Sequence, residues 1–310
     1  MNGVVVVDKP AGKTSFDIIR EIRRALKIRK VGHTGTLDPL ATGVLPVCIN
    51  EATKLVQFFA QDSKEYRVTM LLGVETDTLD IEGTVITHRE PNVVRNDVEE
   101  VVKNFIGMIE QKPPKYSAIK FKGKSLYKWT REGIDIDPPS RMIEINKITI
   151  EEVALPEVTF HVSCSKGTYV RSLCADMGRE LGCGACVCAL RRTKSGHFPE
   201  EAALSLEGLD DLQKRKMLED HLIPLTEALP EFLPVVVDSA LAGRIYNGYQ
   251  PEAEIFKNND IPSLSKGDLV KFLTADDNMV AIARMLCNSD EIVSLHGKEQ
   301  ITKIVRVFNI

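Results

Sequence analysis

The stretch Val31-Gly32-His33-Thr34-Gly35-Thr36-Leu37-Asp38-Pro39-Leu40-Ala41-Thr42-Gly43-Val44-Leu45-Pro46 decides how this sequence is read. Its glycines and Pro39 exclude an ordinary helix or a long strand across the whole of it. Leu37, Leu40, Val44 and Leu45 exclude a solvated linker. What remains is a tightly shaped loop, packed underneath and open at a few polar points. Pro39 pushes Asp38 away from the helical region toward extended backbone. A carboxylate fixed on such a loop, shortly after His33, is a group that an active site uses. An Asp-Pro pair also starts ordinary turns, so the loop takes its meaning from its surroundings.

On the N-terminal side, residues 4–7 are an apolar run that ends at Asp8-Lys9-Pro10, a buried strand entering a loop. Thr14 and Asp17 have the spacing of a capping box. Ile18, Ile19, Ile22 and Leu26 mark one face of the helix it starts. On the other side, residues 44–49 read as a strand and 52–61 as a helix. Tyr66, Val68, Met70 and Leu72 alternate with Arg67, Thr69 and Leu71, a strand of period two over residues 64–72. Residues 84–87 are expected as its hairpin partner. Val98, Val101, Val102 and Phe105 mark a further helix. Strands follow at about 142–152 and 157–164, joined by Pro156. Thr168 is expected to cap a helix through Val170, Leu173, Cys174, Met177 and Leu181, and residues 185–193 return as a strand. The acidic, helical stretch 199–230, punctuated by Pro224 and Pro230, reads as a connector. Beyond Pro234, short strands at 235–237, 268–272, 279–285 and 303–308 form a small β unit. A short helix near 241–246 is stopped by Asn247-Gly248. There is no internal repeat and no low-complexity tract.

The 310 residues allow one large domain or two smaller ones with a substantial core. An apolar content of 43% and a charged content of 27% are those of a soluble globular chain. The longest apolar runs fall far short of the ~20 residues that span a bilayer. No basic stretch precedes the first apolar run, as a signal peptide would require. A cytoplasmic protein with no membrane partner is the expectation. The seven cysteines are an odd number, which suits free thiols in a reducing compartment. Cys183-x-x-Cys186-x-Cys188, with His197 or Cys174 added, invites a zinc reading. A second, well-spaced ligand pair is missing, so small buried cysteines are preferred.

A net charge of −4 argues against a nucleic-acid partner, but its distribution argues the other way. Residues 1–35 carry eight Lys and Arg against three Asp and Glu, and residues 161–197 carry six against two. Residues 115–131 carry Lys115, Lys120, Lys122, Lys124, Lys128 and Arg131 with no acid, interleaved with Tyr116, Phe121, Tyr127 and Trp129. Residues 198–233 invert the balance, nine acidic against three basic. Segregation of this kind suits a basic groove for phosphates and an acidic outer surface. The Lys-, Pro- and Gly-rich segment 113–141 has the character of an RNA-gripping arm.

The opening stretch resembles the signature of the TruB-type tRNA pseudouridine synthases, Gly-His-Thr-Gly-x-Leu-Asp-Pro-x-Ala-x-Gly-Val-Leu. Lys9-Pro10, Tyr66-Arg67-Val68, Leu72-Gly73 and Thr76-Asp77-Thr78 are similar to further motifs of that family. So are Pro113-Pro114-Lys115-Tyr116-Ser117-Ala118, Gly167-Thr168-Tyr169-Val170-Arg171-Ser172-Leu173 and Leu190-Arg191-Arg192-Thr193. They stand in family order from residue 3 to about residue 198. Asn50 and Cys186 depart from the glycine and histidine that many relatives carry there.

The resemblance implies an α+β catalytic domain over residues 1–233, with a mixed, largely antiparallel central sheet, flanking helices and a mobile thumb at about 113–141. It places a small β-rich PUA-like RNA-binding domain at residues 234–310. The implied activity is isomerisation of the T-loop uridine at tRNA position 55, by base flipping. Asp38 falls on the catalytic carboxylate, Arg171 on its partner arginine and Tyr66 on the tyrosine that stacks on the flipped uracil. Leu190 matches the main-chain contact to the base edge, and His33 the histidine linked to extrusion. Lys9 and Tyr169 match residues nearer the supporting shell of the RNA site, while Lys120, Lys122, Lys124 and Lys128 would grip phosphates. The reaction imports no group and involves no redox step, so no cofactor or metal is expected. The expected partner is tRNA, through its T-stem-loop, with no obligatory protein partner. Two rivals stand beside this reading. A non-catalytic RNA-binding protein or tRNA folding chaperone has no need of Asp38, Tyr66 and Arg171 together. A small-molecule enzyme using Gly32 and Gly43 as a phosphate cradle needs a helix directly after the glycines, where the pattern predicts a strand.

Overall fold

The computed structural model describes residues 1–117, 119–134, 136–257 and 263–309. Ala118, the last residue of one of the motifs above, lies outside them. β1 (Gly3–Lys9) is buried on both faces, as its four consecutive valines require. α1 (Ser15–Leu26) starts at the capping box: Asp17 N donates to Thr14 Oγ1, and Thr14 N donates to Asp17 Oδ2. Its buried face is Ile18, Ile19, Ile22 and Leu26, the stripe read from the sequence. The chain continues through β2 (Val31–His33) and β3 (Thr42–Ile49). Asn50 follows at φ 51, a left-handed conformation that glycine adopts without strain and asparagine tolerates, and its side-chain amide donates to Met1 O.

The helix expected over residues 52–61 is broken into a 3₁₀ turn, Asn50–Leu55, and the single-turn α2 (Val56–Phe59). β4 (Lys64–Leu72) is followed by β5 (Val74–Thr76) and β6 (Val85–His88). Here the expectation is corrected: β6 pairs with β5, not with β4. Gly73, at φ 84, turns the chain out of the sheet, and a Cβ there would lie 2.2 Å from Arg89 O. β4 thereby keeps both edges for strands from later in the chain.

α3 (Arg95–Asn104) and β7 (Gly107–Gln111) precede the thumb-like segment. That segment folds as a small hairpin, β8 (Lys120–Phe121) and β9 (Lys124–Ser125), then α4 (Leu126–Arg131). β10 (Arg141–Ala154) and β11 (Glu157–Cys164) form a long hairpin, followed by α5 (Val170–Glu180) and β12 (Ala185–Ser195). Thr168 does not cap α5. Its hydroxyl donates to Ser165 O, and the N-cap residue is Tyr169, whose main-chain N–H is held by the Gln111 side chain.

Residues 199–230 are not a loose connector. β13 (Phe198–Pro199) pairs with β12, while β14 (Leu204–Ser205) and β15 (Ile223–Pro224) pair with β1. Between them, α6 (Asp211–Asp220) lies against α1, where Lys214 Nζ is 3.0 Å from Glu21 Oε2 and Arg24 Nε is 2.8 Å from Asp211 Oδ2. The reason is the edge of β1: without β14 and β15 its N–H and C=O groups would face no partner. The sheet runs β14-β1-β3-β12-β4-β11-β10-β7. Only β1–β14 and β3–β12 are parallel, so the sheet is mixed and largely antiparallel.

The C-terminal strands are β16 (Leu233–Val236), β17 (Leu269–Leu273), β18 (Met279–Met285) and β19 (Thr302–Val307), in one four-stranded sheet. Before β17 come α7 (Ser239–Tyr246), ended at Asn247, and α8 (Ala253–Lys257). This sheet shares an apolar core with the first. Val5 and Val7 of β1 face the core beneath α1 and α5, whereas Val4 and Val6 face Leu273, Met279, Ile282 and Phe308. Period-two alternation on one strand therefore feeds two cores. Polar ties cross the same seam: Lys271 Nζ donates to Thr226 O and Leu229 O, and Lys54 Nζ to Val307 O.

Cys183 and Cys186 are buried, and the His197 ring lies 3.9 Å from that of Phe198. Among the described residues no group of three His, Cys, Asp or Glu could hold a metal ion. No described helix is long and apolar enough to cross a membrane.

The shared core generates a prediction. Phe308 is fully buried in the seam, so Phe308→Ala should cost about 3–5 kcal/mol. Thermal unfolding followed by near-UV circular dichroism should show the whole chain melting earlier in one transition. An early transition confined to the C-terminal strands would mean that the two sheets are energetically independent.

Candidate active site

The Asp38 loop is fixed from beneath. The buried Ser15 hydroxyl accepts from Leu37 N at 2.8 Å and donates to Leu37 O at 3.1 Å. The Lys9 ammonium donates to Pro10 O, Lys13 O and Pro39 O, and Gly12 N also reaches Pro39 O. Ala41 N donates to Asp38 O, closing the turn. Gly43, at φ 96, lets the loop lie against β12, where a Cβ would stand 2.2 Å from Arg192 O. With Leu37 buried as an anchor, the Asp38 side chain is left facing a cavity of about 380 Å³.

Arg171 enters from the first turn of α5. Its Nε lies 2.9 Å from Asp38 Oδ2. That N–H has no well-aligned acceptor, so the contact is an ion pair more than a straight hydrogen bond. The two outer nitrogens are held by main chain: Nη1 donates to Thr78 O at 2.7 Å and Nη2 to Tyr116 O at 2.9 Å. A second carboxylate stands behind, with Asp80 Oδ2 at 3.4 Å from Nη1. Asp80 is itself held by the Thr78 hydroxyl and by Glu82 N. The Asp38 side chain is 36% exposed, against 5% for Arg171 and 8% for Asp80. The carboxylate open to the cavity is thus Asp38. Burial pushes its pKa above the ordinary value, the Arg171 charge opposes the rise, and Asp80 adds to it.

Tyr66 on β4 and Leu190 and Arg192 on β12 line the same cavity, with Lys64, Arg141, Tyr169 and Thr34 around them. Burial raises the Tyr66 pKa, and the Arg192 charge works against that rise. Tyr169 is clamped through its main chain by Gln111, and the Arg141 guanidinium stands 4.9 Å from its ring centroid.

The structure therefore brings together Asp38, Tyr66, Arg171, Tyr169 and Leu190. His33 stands on β2 outside the lining, with Nδ1 buried and unpartnered, and burial lowers its pKa. Lys9 does not reach the cavity surface. It is fully buried, burial brings its pKa down to about 8, and its donors serve the loop instead of a phosphate. Lys120, Lys122 and Lys128 are exposed on the thumb-like segment. Lys124 is half-buried, paired with Glu132 and 4.4 Å from the Trp129 ring centroid. Sequence reasoning passed over Asp80 and gave Arg192 no role. The signal for Asp80 was an acid between the apolar Leu79 and Ile81, close after Thr76-Asp77-Thr78.

Comparison with known proteins gives the family. The profile of the TruB family pseudouridylate synthase N-terminal domain matches residues 23–170, and that of the tRNA pseudouridylate synthase B C-terminal domain matches residues 171–230. The tRNA pseudouridine synthase B of Syntrophus aciditrophicus is 50% identical over 309 residues, covering 100% of this chain and 99% of that protein. The Thermotoga maritima enzyme of the same name is 39% identical over 313 residues, covering 99% of each. Among solved structures, an H/ACA RNP bound to a substrate RNA containing 2′-deoxyuridine includes a similar chain. It is 28% identical with a TM-score of 0.74, over 99% of this chain and 85% of that one. Full-length identity at this level leaves one conclusion: the chain belongs to the TruB family of tRNA pseudouridine synthases, isomerases that act on RNA.

Proposed function

We propose that this enzyme converts the T-loop uridine at position 55 of tRNA into pseudouridine, with Asp38 as the carboxylate that acts at C1′ of the flipped nucleotide. The observation that carries the reading is Asp38 open to a cavity of nucleoside scale, ion-paired to Arg171 and sharing that cavity with Tyr66. Breaking the N1–C1′ bond builds positive charge on the ribose. An ionised carboxylate can stabilise that charge, attack C1′ or take the 2′ proton. The Arg171 charge favours the ionised form of Asp38 and opposes the effect of burial. Tyr66 stacks on the uracil and assists removal of the C5 proton. The main chain at Leu190 meets the base edge, and Tyr169 supports the wall. Extruding the base costs a few kcal/mol. Stacking on one ring returns roughly 1–3 kcal/mol, and phosphate contacts supply the rest.

In this proposal residues 1–233 carry the chemistry. Residues 234–310, as an RNA-binding module of the PUA type, add grip on the acceptor side of the tRNA. Lys9 acts from the supporting shell that its motif implied and not by touching RNA, holding the Asp38 loop in shape. Lys120, Lys122 and Lys128 are the thumb cations open to RNA.

An amide supplies neither charge nor nucleophile. Asp38→Asn should therefore bind a T-stem-loop RNA normally and lose turnover by about 10⁴-fold or more. Near-normal pseudouridine formation, mapped on RNA treated with pure variant, would sink the assignment.

The pH dependence has a definite sign. Turnover requires ionised Asp38, so it is present above the folded pKa and lost as pH falls through it. That pKa is raised above the ordinary 3.8, so the acid limb of kcat/KM, which follows the free enzyme, should lie above the range of a free aspartate. Asp80 contributes to the rise. Asp80→Asn should move the acid limb to lower pH while lowering the maximal rate, since Arg171 loses an anchor. A limb that stays or moves upward would contradict this account of Asp80.

For the thumb, replacing Lys120, Lys122 and Lys128 by Gln should flatten the plot of log affinity against log salt by ~0.7–0.9 per lost phosphate contact. Adding Lys124→Gln should change the slope little, because Glu132 and Trp129 already engage that ammonium. An unchanged slope in the triple variant would show that these lysines only face solvent.

A further inference from the structure

Alternation along β12 separates two neighbouring arginines. Arg191 turns to one face, where Asp8 Oδ1 lies 3.0 Å from Nη1 and Glu200 Oε2 lies 2.7 Å from Nε. Arg192 turns to the other face and is 1% exposed. Its Nε donates to Val44 O at 2.7 Å and its Nη2 to Gly35 O at 3.2 Å. Among the described residues, no carboxylate lies within ion-pair distance of it. Tyr66 stands directly across from Arg192 in the β4–β12 ladder, and Leu190 stands across from Val68. Arg192, Tyr66 and Leu190 therefore share one sheet face, and all three line the cavity that holds Asp38.

A buried guanidinium without a carboxylate is costly, and it cannot relieve the cost by losing its proton. Its field reaches the neighbours. Burial lowers the pKa of Lys9, Lys64 and His33, and the Arg192 charge pushes each of them further down. By contrast, the charge of Arg171 is balanced by Asp38 and Asp80. The cavity thus keeps a standing positive charge on the Tyr66 side.

Uridine isomerisation places negative charge there. When N1–C1′ breaks, both bonding electrons stay on N1, and the ring spreads them over N1 and its two carbonyl oxygens. The ring turns, C5 joins C1′, C5 gives up its proton and N1 takes one. Atoms and electrons balance with no added reagent. We infer that Arg192 is the electrostatic complement of this uracil anion, as Asp38 is of the ribose. A charge fixed in advance in a water-poor site stabilises the anion without reorganising. The inference rests on the assignment of Asp38 and Tyr66 proposed above.

The test compares two T-stem-loop RNAs, one with uridine and one with 5-fluorouridine at the target. Fluorine withdraws electrons, so the fluorinated ring carries the negative charge with less help. The fluorinated ring has no C5 proton to give up, so after C5 joins C1′ it keeps its fluorine and water adds across N1=C6. The unconverted target nucleoside remaining after complete nuclease digestion measures both reactions. On uridine, Arg192→Met should lower kcat by about 10²-fold or more with little change in KM. On the fluorinated RNA the loss should be roughly tenfold smaller. Arg192→Lys keeps a charge but withdraws it, and should fall between. Equal losses on the two RNAs would overturn the inference, because a distorted loop slows both alike. A loss confined to KM would also overturn it and assign Arg192 to RNA grip. If Arg192→Met does not fold, the same ratio measured for Arg192→Lys decides. Wild-type turnover of the uridine RNA, and its loss in Asp38→Asn, test the site assignment separately in the same assay.

Discussion

The guanidinium of Arg171 is the interaction on which this site depends. It joins four stretches of chain that are far apart in sequence: the Asp38 loop, Thr78 and Asp80 after β5, Tyr116 at the base of the thumb, and α5 itself. A planar fork with five N–H donors suits such a junction, because its contacts are fixed in direction. Lysine would supply the charge but not the geometry. Being buried, Arg171 needs carboxylate partners, and it has two in different settings. Asp80 is enclosed and holds the arginine. Asp38 is open and lines the cavity.

The surrounding loop is shaped by equally specific contacts. Ser15 from α1 closes both main-chain groups of Leu37, and Lys9 ties three carbonyls beneath Pro39. The first strand and first helix thus act directly on the Asp38 loop. Gly43 completes the fit by allowing β12 to approach. A carboxylate held in this way is preorganised, as the role proposed for Asp38 would require.

The sheet distributes charge as well as apolar surface. Residues two apart on β12 share a face, so Leu190 and Arg192 meet the cavity while Arg191 meets Asp8 and Glu200. On β1 the same rule sends Val5 and Val7 into one core and Val4 and Val6 into another. The second core attaches the C-terminal sheet to the back of the catalytic one. Lys271 and Lys54 add main-chain ties across the seam. The C-terminal unit is therefore part of what keeps β1 in place, in addition to any role in RNA binding.

Local chemistry is legible in the amino-acid sequence alone. The capping box of α1, the apolar run at residues 4–7 and the alternation from Lys64 to Leu72 follow from interactions within a few residues, whereas the loop around Asp38 is marked locally only by its glycines and Pro39 and takes its shape from Ser15, Lys9 and β12. Those interactions are written in adjacent positions. The family motifs also singled out Arg171 and Tyr66, though not by any local pattern. Which residue meets which was decided only by the tertiary structure. The pairing of β6 with β5, the docking of β14 and β15 on the edge of β1, and Asp80 behind Arg171 all join positions whose separation carries no sequence signal. What Lys9 supports was decided for the same reason: a lysine near a basic groove and a lysine under a loop look alike until burial is known. Arg191 and Arg192 are identical neighbours in sequence. The pleat of the sheet gives one a pair of carboxylates and leaves the other facing the Asp38 cavity without one.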